Sequence, residues 1–169
     1  MNAFVTVDSN WGISYQDSPL ATIPSEKRER LKALEGKVAV YGVKYLKELP
    51  GNLPIKGSIN LIFTDGVKSN VKTSSEVFSF DTVDSLKEAL KDYPDEDIYI
   101  IDNEKLYREF LPEIDVVHVT KIDYEYKADA FFDNLDMNPD FVITADSDEQ
   151  YCFDIVYSFL RYERKDRKK

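Results

Sequence analysis

Residues 97–112 read DIYIIDNEKLYREFLP, an apolar run that leads directly into a charged amphipathic segment. The run DIYII (97–101) is short and rich in isoleucine, which predicts a buried strand. The segment EKLYREFL (104–111) predicts a helix. A strand that passes straight into a helix is the repeating unit of an α/β domain.

The same alternation continues toward the N-terminus. Strands are predicted at 3–7, KVAVY (37–41) and SINLIFT (58–64), and helices at PSEKRERLKALE (24–35), VKYLKEL (43–49) and TVDSLKEALKDY (82–93). Pro24 and the acidic residues after it favour a helix start, and Asp81 is the expected N-cap of the third helix. The segment PGNLPIKG (50–57) is predicted to be a loop.

The pattern changes after residue 115. The segments VVHVTKIDYEY (116–126), FVITADS (141–147) and YCFDIVYSFLRYER (151–164) are rich in β-branched and aromatic residues, which favours antiparallel strands. The sequence therefore predicts one α/β domain, over residues 1–162, with a mostly parallel sheet finished by an antiparallel hairpin. Residues 161–169 hold six basic and two acidic side chains. We interpret residues 163–169 as a solvated basic tail rather than a nucleic-acid or partner contact, and assign it no function.

Composition excludes several classes of protein. The 169 residues are 43% hydrophobic and 13% aromatic, enough for a folded core. With 22 basic and 32 acidic residues the net charge is −10, which disfavours nucleic acid as a partner. A single cysteine, Cys152, and a single histidine, His118, exclude a disulfide framework and a Cys/His zinc site, and nothing supports a carboxylate metal site. No apolar run is long enough to span a membrane and no leader is evident, so a cytoplasmic location is expected.

The order of the motifs is similar to one known family. The matching stretches, which together span nearly the whole chain, are VDSNWGI, IPSEKRERLKALEGKVAVYG, the P-G-x-L-P loop with INLIFT, DIYIIDNEKLYREFLP, HVTKIDYEYKADAFF and LRYER. In this order they resemble the dihydrofolate reductase family. The resemblance implies a three-layer fold, with an eight-stranded, mainly parallel sheet and about four flanking helices. It also implies NADPH at the carboxyl ends of the strands, dihydrofolate in an adjacent cleft, and hydride transfer from nicotinamide to pterin.

Some residues match the positions that this family uses. Glu26 stands where the resemblance places the carboxylate that orients the pterin and assists its protonation. Thr120 matches a threonine that supports this carboxylate by hydrogen bonding, Tyr107 an aromatic side chain near the nicotinamide, and Val5 a substrate contact. Each residue also suits a purely structural role, as an acidic group in a first helical turn or as a packing side chain.

The substrate side departs from the family pattern. Arg30 occupies the place of an aromatic ring that packs on the folate, and Lys27 that of an apolar contact. Glu26 and Arg30 have the i,i+4 spacing of a helical ion pair, so they are expected to satisfy each other. A solvent-exposed helix face explains Lys27 and Arg30 equally well. Ser58 replaces the arginine that holds the folate carboxylate, and Lys56 nearby is only a partial substitute because it lacks a planar fork.

The cofactor side departs further. Asp102 and Asn103 replace a Gly-Gly pair whose bare backbone admits the pyrophosphate. We expect a trans peptide between them, with the Asp102 carboxylate capping the next helix and closing the phosphate site. In the other phosphate-binding turn Gly42 is kept, with Lys44 as a candidate phosphate contact. Thr64, near the expected adenosine phosphate, is followed by an acidic residue.

Three hypotheses follow. The sequence favours a dihydrofolate reductase-family protein that is catalytically impaired, or repurposed as a binding or regulatory module for a folate-like or other small molecule, with no NADPH bound. The alternative is an active NADPH-dependent dihydrofolate reductase. The third is an altered enzyme with another cofactor or substrate, such as an anion held by Lys27 and Arg30.

Overall fold

The computed structural model describes residues 1–165, and most of the chain forms one mixed β-sheet with helices on both faces. The strands are β1 (Asn2–Val7), β2 (Gly12–Tyr15), β3 (Ser18–Pro19), β4 (Val38–Gly42), β5 (Ile59–Phe63), β6 (Val77–Phe80), β7 (Ile98–Ile100), β8 (Val116–Ile122), β9 (Ala130–Phe131), β10 (Phe141–Asp146), β11 (Gln150–Cys152) and β12 (Ile155–Arg164). The α-helices are α1 (Pro24–Ala33), α2 (Val83–Leu90) and α3 (Glu104–Phe110). The 3₁₀ helices are Val43–Glu48, Pro50–Asn52, Asp95–Asp97 and Leu111–Glu113.

The main sheet has the strand order β10-β12-β8-β1-β7-β4-β5-β6, and β11 pairs with β12. All neighbours from β8 to β6 are parallel, whereas β12 is antiparallel to both β8 and β10. A small second sheet has the order β3-β2-β9. The resemblance implied an eight-stranded, mainly parallel sheet, and the sequence pattern predicted its antiparallel C-terminal end; the path of eight strands from β10 to β6 confirms both.

Two hydrophobic layers cover the faces of the sheet. On the central strand β4, Val38 and Val40 face the layer that contains the apolar side chains of α2 and α3. Ala39 and Tyr41 face the layer that contains Leu34, at the end of α1. A strand buried on both faces needs a continuous apolar run, which explains the sequence VAVYG.

Several local predictions need correction. Thr82, not Asp81, caps α2, since its side-chain oxygen accepts the N–H of Ser85 at 3.1 Å. β6 and the small sheet were not predicted. β12 continues through Arg164, beyond the predicted domain boundary at residue 162, and residues 166–169 of the predicted tail lie outside the described part of the chain. Within residues 1–165 no helix has the length and apolar character needed to cross a membrane.

Candidate ligand-binding cleft

A cleft of about 440 Å³ opens where β1, β4 and β7 end. These strands are parallel neighbours, so the segments that follow them meet at one edge of the sheet. The remaining walls come from α1 and from the polar segment that includes β2 and β3. Eight predicted site residues line the cleft: Val5, Glu26, Lys27, Arg30, Lys44, Asp102, Asn103 and Tyr107.

Glu26 forms a buried ion pair inside the cleft. Its Oε1 lies 3.0 Å from Arg30 Nη2 in an ion pair and accepts a hydrogen bond from the Thr6 hydroxyl at 2.8 Å. Arg30 Nη2 also donates to the Thr6 oxygen at 3.1 Å, and the guanidinium lies over the Phe4 ring, 5.3 Å from its centroid. The predicted i,i+4 pair is therefore present, and Arg30 points into the cleft rather than into solvent.

Two polar atoms of this pair have no hydrogen-bond partner within residues 1–165. They are Glu26 Oε2 and Arg30 Nε, and both are buried. Glu26 as a whole is only 8% exposed. An unsatisfied buried carboxylate oxygen is costly, so this atom indicates a site that a further donor completes.

The expected support of Glu26 by Thr120 is wrong. Thr120 is buried, but the hydroxyl that bonds the carboxylate belongs to Thr6, its register partner on the adjacent strand. The alternation of side chains along β1 could have predicted this bond. Val5 and Val7 face the opposite layer, so Thr6 must face α1. Tyr107 also lines the cleft, and its hydroxyl donates to the Phe4 carbonyl at 2.7 Å.

The other predicted substrate residues are occupied or distant. Lys27 pairs with Glu48 at 3.4 Å. Ser58 is buried outside the cleft and donates its hydroxyl to the Leu34 carbonyl at 2.7 Å, whereas Lys56 is exposed. The proposed contact of Ser58 and Lys56 with a ligand in this cleft is therefore not supported by their positions.

The turn between β7 and α3 differs in one respect from the prediction. The Asp102-Asn103 peptide is trans, as expected, since residues 1–165 contain no cis bond. However, the cap of α3 is Asn103, whose Oδ1 accepts the Leu106 N–H at 3.2 Å. Asn103 has φ 88°, a conformation that favours glycine. A methyl group placed on Gly42 would lie 2.7 Å from Asn103 Nδ2, so this side chain fills the space above the glycine.

Asp102 is thereby free to face the cleft, where it is partly buried. Burial is the main cause that raises the pKa of its carboxyl, from the ordinary 3.8 to about 7, and the charge of Glu48 adds to this. The backbone amides of Asn103 and Gly42 and the charge of Arg30 act in the opposite direction. Within residues 1–165 no side chain donates a hydrogen bond to this carboxyl and no cation forms an ion pair with it. Asp102 is thus a carboxyl that changes charge near neutral pH.

The remaining predicted cofactor contacts already have protein partners. Lys44 pairs with Asp17 at 2.9 Å. The Thr64 hydroxyl donates to Asp81 at 3.0 Å and lies outside the cleft lining. Asp65, which follows it, pairs with Lys105 at 3.1 Å.

The 3₁₀ helix after β4 contributes two cleft residues that the sequence analysis did not predict. Tyr45 and Glu48 both line the cleft from the 3₁₀ helix that follows β4. Residues at i and i+3 of a 3₁₀ helix share a face, so assigning this segment as 3₁₀ would have placed them together. Burial raises the pKa of the Tyr45 hydroxyl, which keeps it protonated as a neutral donor.

No group of three or more His, Cys, Asp or Glu side chains in the described residues is arranged to hold a metal ion.

Comparisons with known proteins agree with this architecture. A curated dihydrofolate reductase from Staphylococcus haemolyticus is 28% identical over 133 residues, covering 77% of this chain and 75% of the relative. The solved structure of a dihydrofolate reductase from Enterococcus faecalis, complexed with NADP(H) and RAB-propyl, superposes with a TM-score of 0.77 at 16% identity, covering 98% of this chain and 96% of that one. The family model for dihydrofolate reductase matches residues 1–164. The chain belongs to the dihydrofolate reductase family.

Proposed function

We propose that this chain is a dihydrofolate reductase-family protein in which NADPH-dependent reduction of dihydrofolate is impaired and the cleft serves to bind a different small molecule. The observation that carries the proposal is the turn after β7. There the Asn103 side chain fills the space above Gly42 and the Asp102 carboxyl faces the cleft.

These residues fit a dinucleotide pyrophosphate poorly. A pyrophosphate needs free backbone N–H groups at a helix start and close approach to a bare backbone. The Leu106 amide is already bonded to Asn103, and any charge on Asp102 repels a phosphate. Lys44, the candidate phosphate contact, already pairs with Asp17. We therefore derive no chemical step through NADPH.

The carboxylate of Glu26 also has too few free oxygens to bind a pterin well. Recognition of an amino-pyrimidine edge by two parallel N–H bonds uses both carboxylate oxygens. Oε1 is taken by Arg30 and Thr6, which leaves only Oε2. In addition, the Arg30 guanidinium fills part of the cleft beside Phe4.

The alternative is an active NADPH-dependent reductase. It is favoured by a buried carboxylate in the cleft lining, by Tyr107 in the same lining, and by the NADP(H) bound to the Enterococcus faecalis relative. NADPH titration of the purified protein, followed by nicotinamide fluorescence and calorimetry, separates the two proposals. We expect no saturable binding at micromolar NADPH and no dihydrofolate-dependent absorbance decrease at the nicotinamide band. Saturable binding with turnover that Glu26→Gln abolishes would establish the active reductase instead.

A further inference from the structure

We propose that a second surface of this chain, outside the lining of the cleft, docks an arginine-rich segment of a basic protein. The surface, here called the aromatic tip, consists of residues 123–126 and 146–154. It comprises the segment that follows β8 and the stretch from the end of β10 through β11 to the turn before β12. The inference goes beyond the proposed function, because it does not depend on what the cleft binds.

Three large aromatic side chains of the aromatic tip are exposed. Tyr124 is 61% exposed, Tyr151 68% and Phe153 98%. Phe153 lies in the two-residue turn between β11 and β12 and has φ 55°, a conformation that favours glycine or asparagine. Neither core packing nor the backbone therefore explains a phenylalanine there. Exposed aromatic side chains that add nothing to the core are typical of protein–protein contacts.

The two segments of the aromatic tip are fixed to each other. The Asp123 N–H donates to the Val156 carbonyl at 2.8 Å. Tyr126 packs with Cys152 against a buried cluster under the hairpin, and the centroids of the Tyr124 and Tyr126 rings lie 4.7 Å apart. The exposed rings thus stand on a packed base, so a partner that binds them needs to order little of this surface.

The charge of the aromatic tip selects a basic partner. The tip contains no Lys, Arg or His and six carboxylates, which are Asp123, Glu125, Asp146, Asp148, Glu149 and Asp154. All six residues are exposed, and none of them forms an ion pair within residues 1–165. Lys127, the next cation along the chain, lies over the Tyr15 ring, 5.0 Å from its centroid. The negative charge of this surface is therefore left for a partner to complement.

Arginine suits this surface better than lysine does. Its planar guanidinium stacks on an aromatic ring and binds a carboxylate with two N–H groups, whereas lysine offers a compact, strongly hydrated charge. Each of the two exposed rings of the hairpin has a carboxylate close by. Glu149 accepts the Tyr151 hydroxyl at 3.2 Å, and Asp154 directly follows Phe153 in the turn.

The same charge disfavours the other occupants of an exposed aromatic surface. Nucleic acid would bring its phosphates against six carboxylates. A second copy of this chain that docked through the same surface would bring two sets of six carboxylates together.

Peptides that differ only in their cation test the preference directly. Fluorescein-labelled octapeptides of glycine alternating with arginine, lysine or citrulline are titrated with the full chain at low salt and followed by fluorescence anisotropy. Citrulline has the shape of arginine without its charge. We expect the arginine peptide to bind at least about threefold more tightly than the lysine peptide, and the citrulline peptide not to bind. Salt at about 0.5 M should weaken the arginine peptide at least about tenfold.

Matched variants then locate the binding surface. Tyr151→Ser combined with Phe153→Ser removes two exposed rings and no charge, and should weaken the arginine peptide at least about tenfold. The control combines Val67→Ser with Met137→Ser. It removes two exposed apolar side chains outside the aromatic tip and should leave binding unchanged.

A second pair of variants separates the aromatic tip from the general negative charge of the chain. Asp148→Asn with Asp154→Asn removes two exposed charges from the tip. The control, Asp92→Asn with Glu109→Gln, removes two exposed charges elsewhere. We expect the tip variant to bind the arginine peptide at least about threefold more weakly than the wild type, and the control to bind it equally well.

The inference is wrong if the arginine peptide fails to bind the wild-type protein or binds no more tightly than the citrulline peptide, comparisons that need no variant. It is equally wrong if the folded tip variants bind like the wild type, or if the controls lose as much affinity as the tip variants. Sedimentation velocity of the protein alone tests the remaining occupant. Self-association that Phe153→Ser abolishes would assign the surface to a second copy and overturn the inference, whereas saturable NADPH binding contradicts the proposed function alone.

Discussion

Replacing Asp102 by asparagine should stabilise the fold at pH 8 and do so much less at pH 5. The carboxyl of Asp102 has a pKa of about 7 in the folded protein, raised mainly by burial, against 3.8 ordinarily. The folded state therefore holds a proton that the unfolded chain has already lost. The contribution of this proton to stability is full below pH 3.8 and is lost as the pH rises through 7. Asparagine keeps a similar shape without titrating.

The magnitude follows from the two pKa values. Between pH 5 and pH 8, pKa values of 3.8 and about 7 correspond to about 2.6 kcal/mol of stability lost by the wild type. Contact of the partly buried carboxyl with cleft water reduces this difference. We expect the advantage of Asp102→Asn over the wild type to grow by about 1 to 2.5 kcal/mol over this range.

Urea denaturation of both proteins at several pH values between 5 and 8 measures this difference. Asp92→Asn is the control, since its exposed carboxylate forms no hydrogen bond or ion pair with another side chain in the described residues. Its free energy of unfolding should follow that of the wild type across the whole range. If the Asp102→Asn and wild-type curves run parallel from pH 5 to pH 8, Asp102 does not titrate near neutrality and the electrostatic account of the cleft fails.

Two further predictions concern the residues that distinguish this cleft. Glu26→Gln and Arg30→Met should each lower the free energy of unfolding by about 2 to 4 kcal/mol, because each leaves a buried charged partner unpaired. The loss in the double variant should be smaller than the sum of the two single losses by at least about 1 kcal/mol. Urea denaturation of the four proteins measures this coupling, and strict additivity would mean that the pair does not form. Restoring a glycine pair with Asp102→Gly and Asn103→Gly should relieve the backbone at φ 88° and reopen the space above Gly42. We expect NADPH to bind this double variant at least about tenfold more tightly than the wild type by nicotinamide fluorescence, and unchanged binding would show that these side chains are not the obstacle.

The fold was predictable because the pattern of apolar residues in a strand reflects whether one or both of its faces are buried. A run such as VAVYG has no polar residue and therefore belongs in the middle of a sheet covered on both faces. The β-branched and aromatic segments after residue 115 likewise indicated the antiparallel end. The strand β6 was missed because VFSF is short and only partly buried, and the two-residue strands β3 and β9 carry no periodicity at all.

The cleft was only partly predictable, because its decisive contacts join elements distant in sequence. The pair of Glu26 and Arg30 lies on one helix, and the i,i+4 rule was sufficient to find it. The bond of Glu26 to Thr6 depends on how α1 sits across β1, which no local pattern specifies. The choice between Asp102 and Asn103 as the cap of α3 was equally undetermined, since both residue types favour that position.

One physical requirement explains how the charges of the cleft are arranged. Each cation that enters a partly buried wall needs a counter-charge, and in this chain the counter-charge comes from a protein carboxylate: Glu48 for Lys27, Glu26 for Arg30 and Asp17 for Lys44. These carboxylates take the place that the phosphates and carboxylates of an anionic ligand would otherwise fill. Three carboxyls of the cleft form no ion pair within residues 1–165: Asp8 accepts three backbone N–H groups and Asp129 accepts one, whereas Asp102 has no side-chain donor. A ligand that brings only negative charge would have to displace one of these carboxylates from its cation, so the existing pairs disfavour an anionic occupant of the cleft.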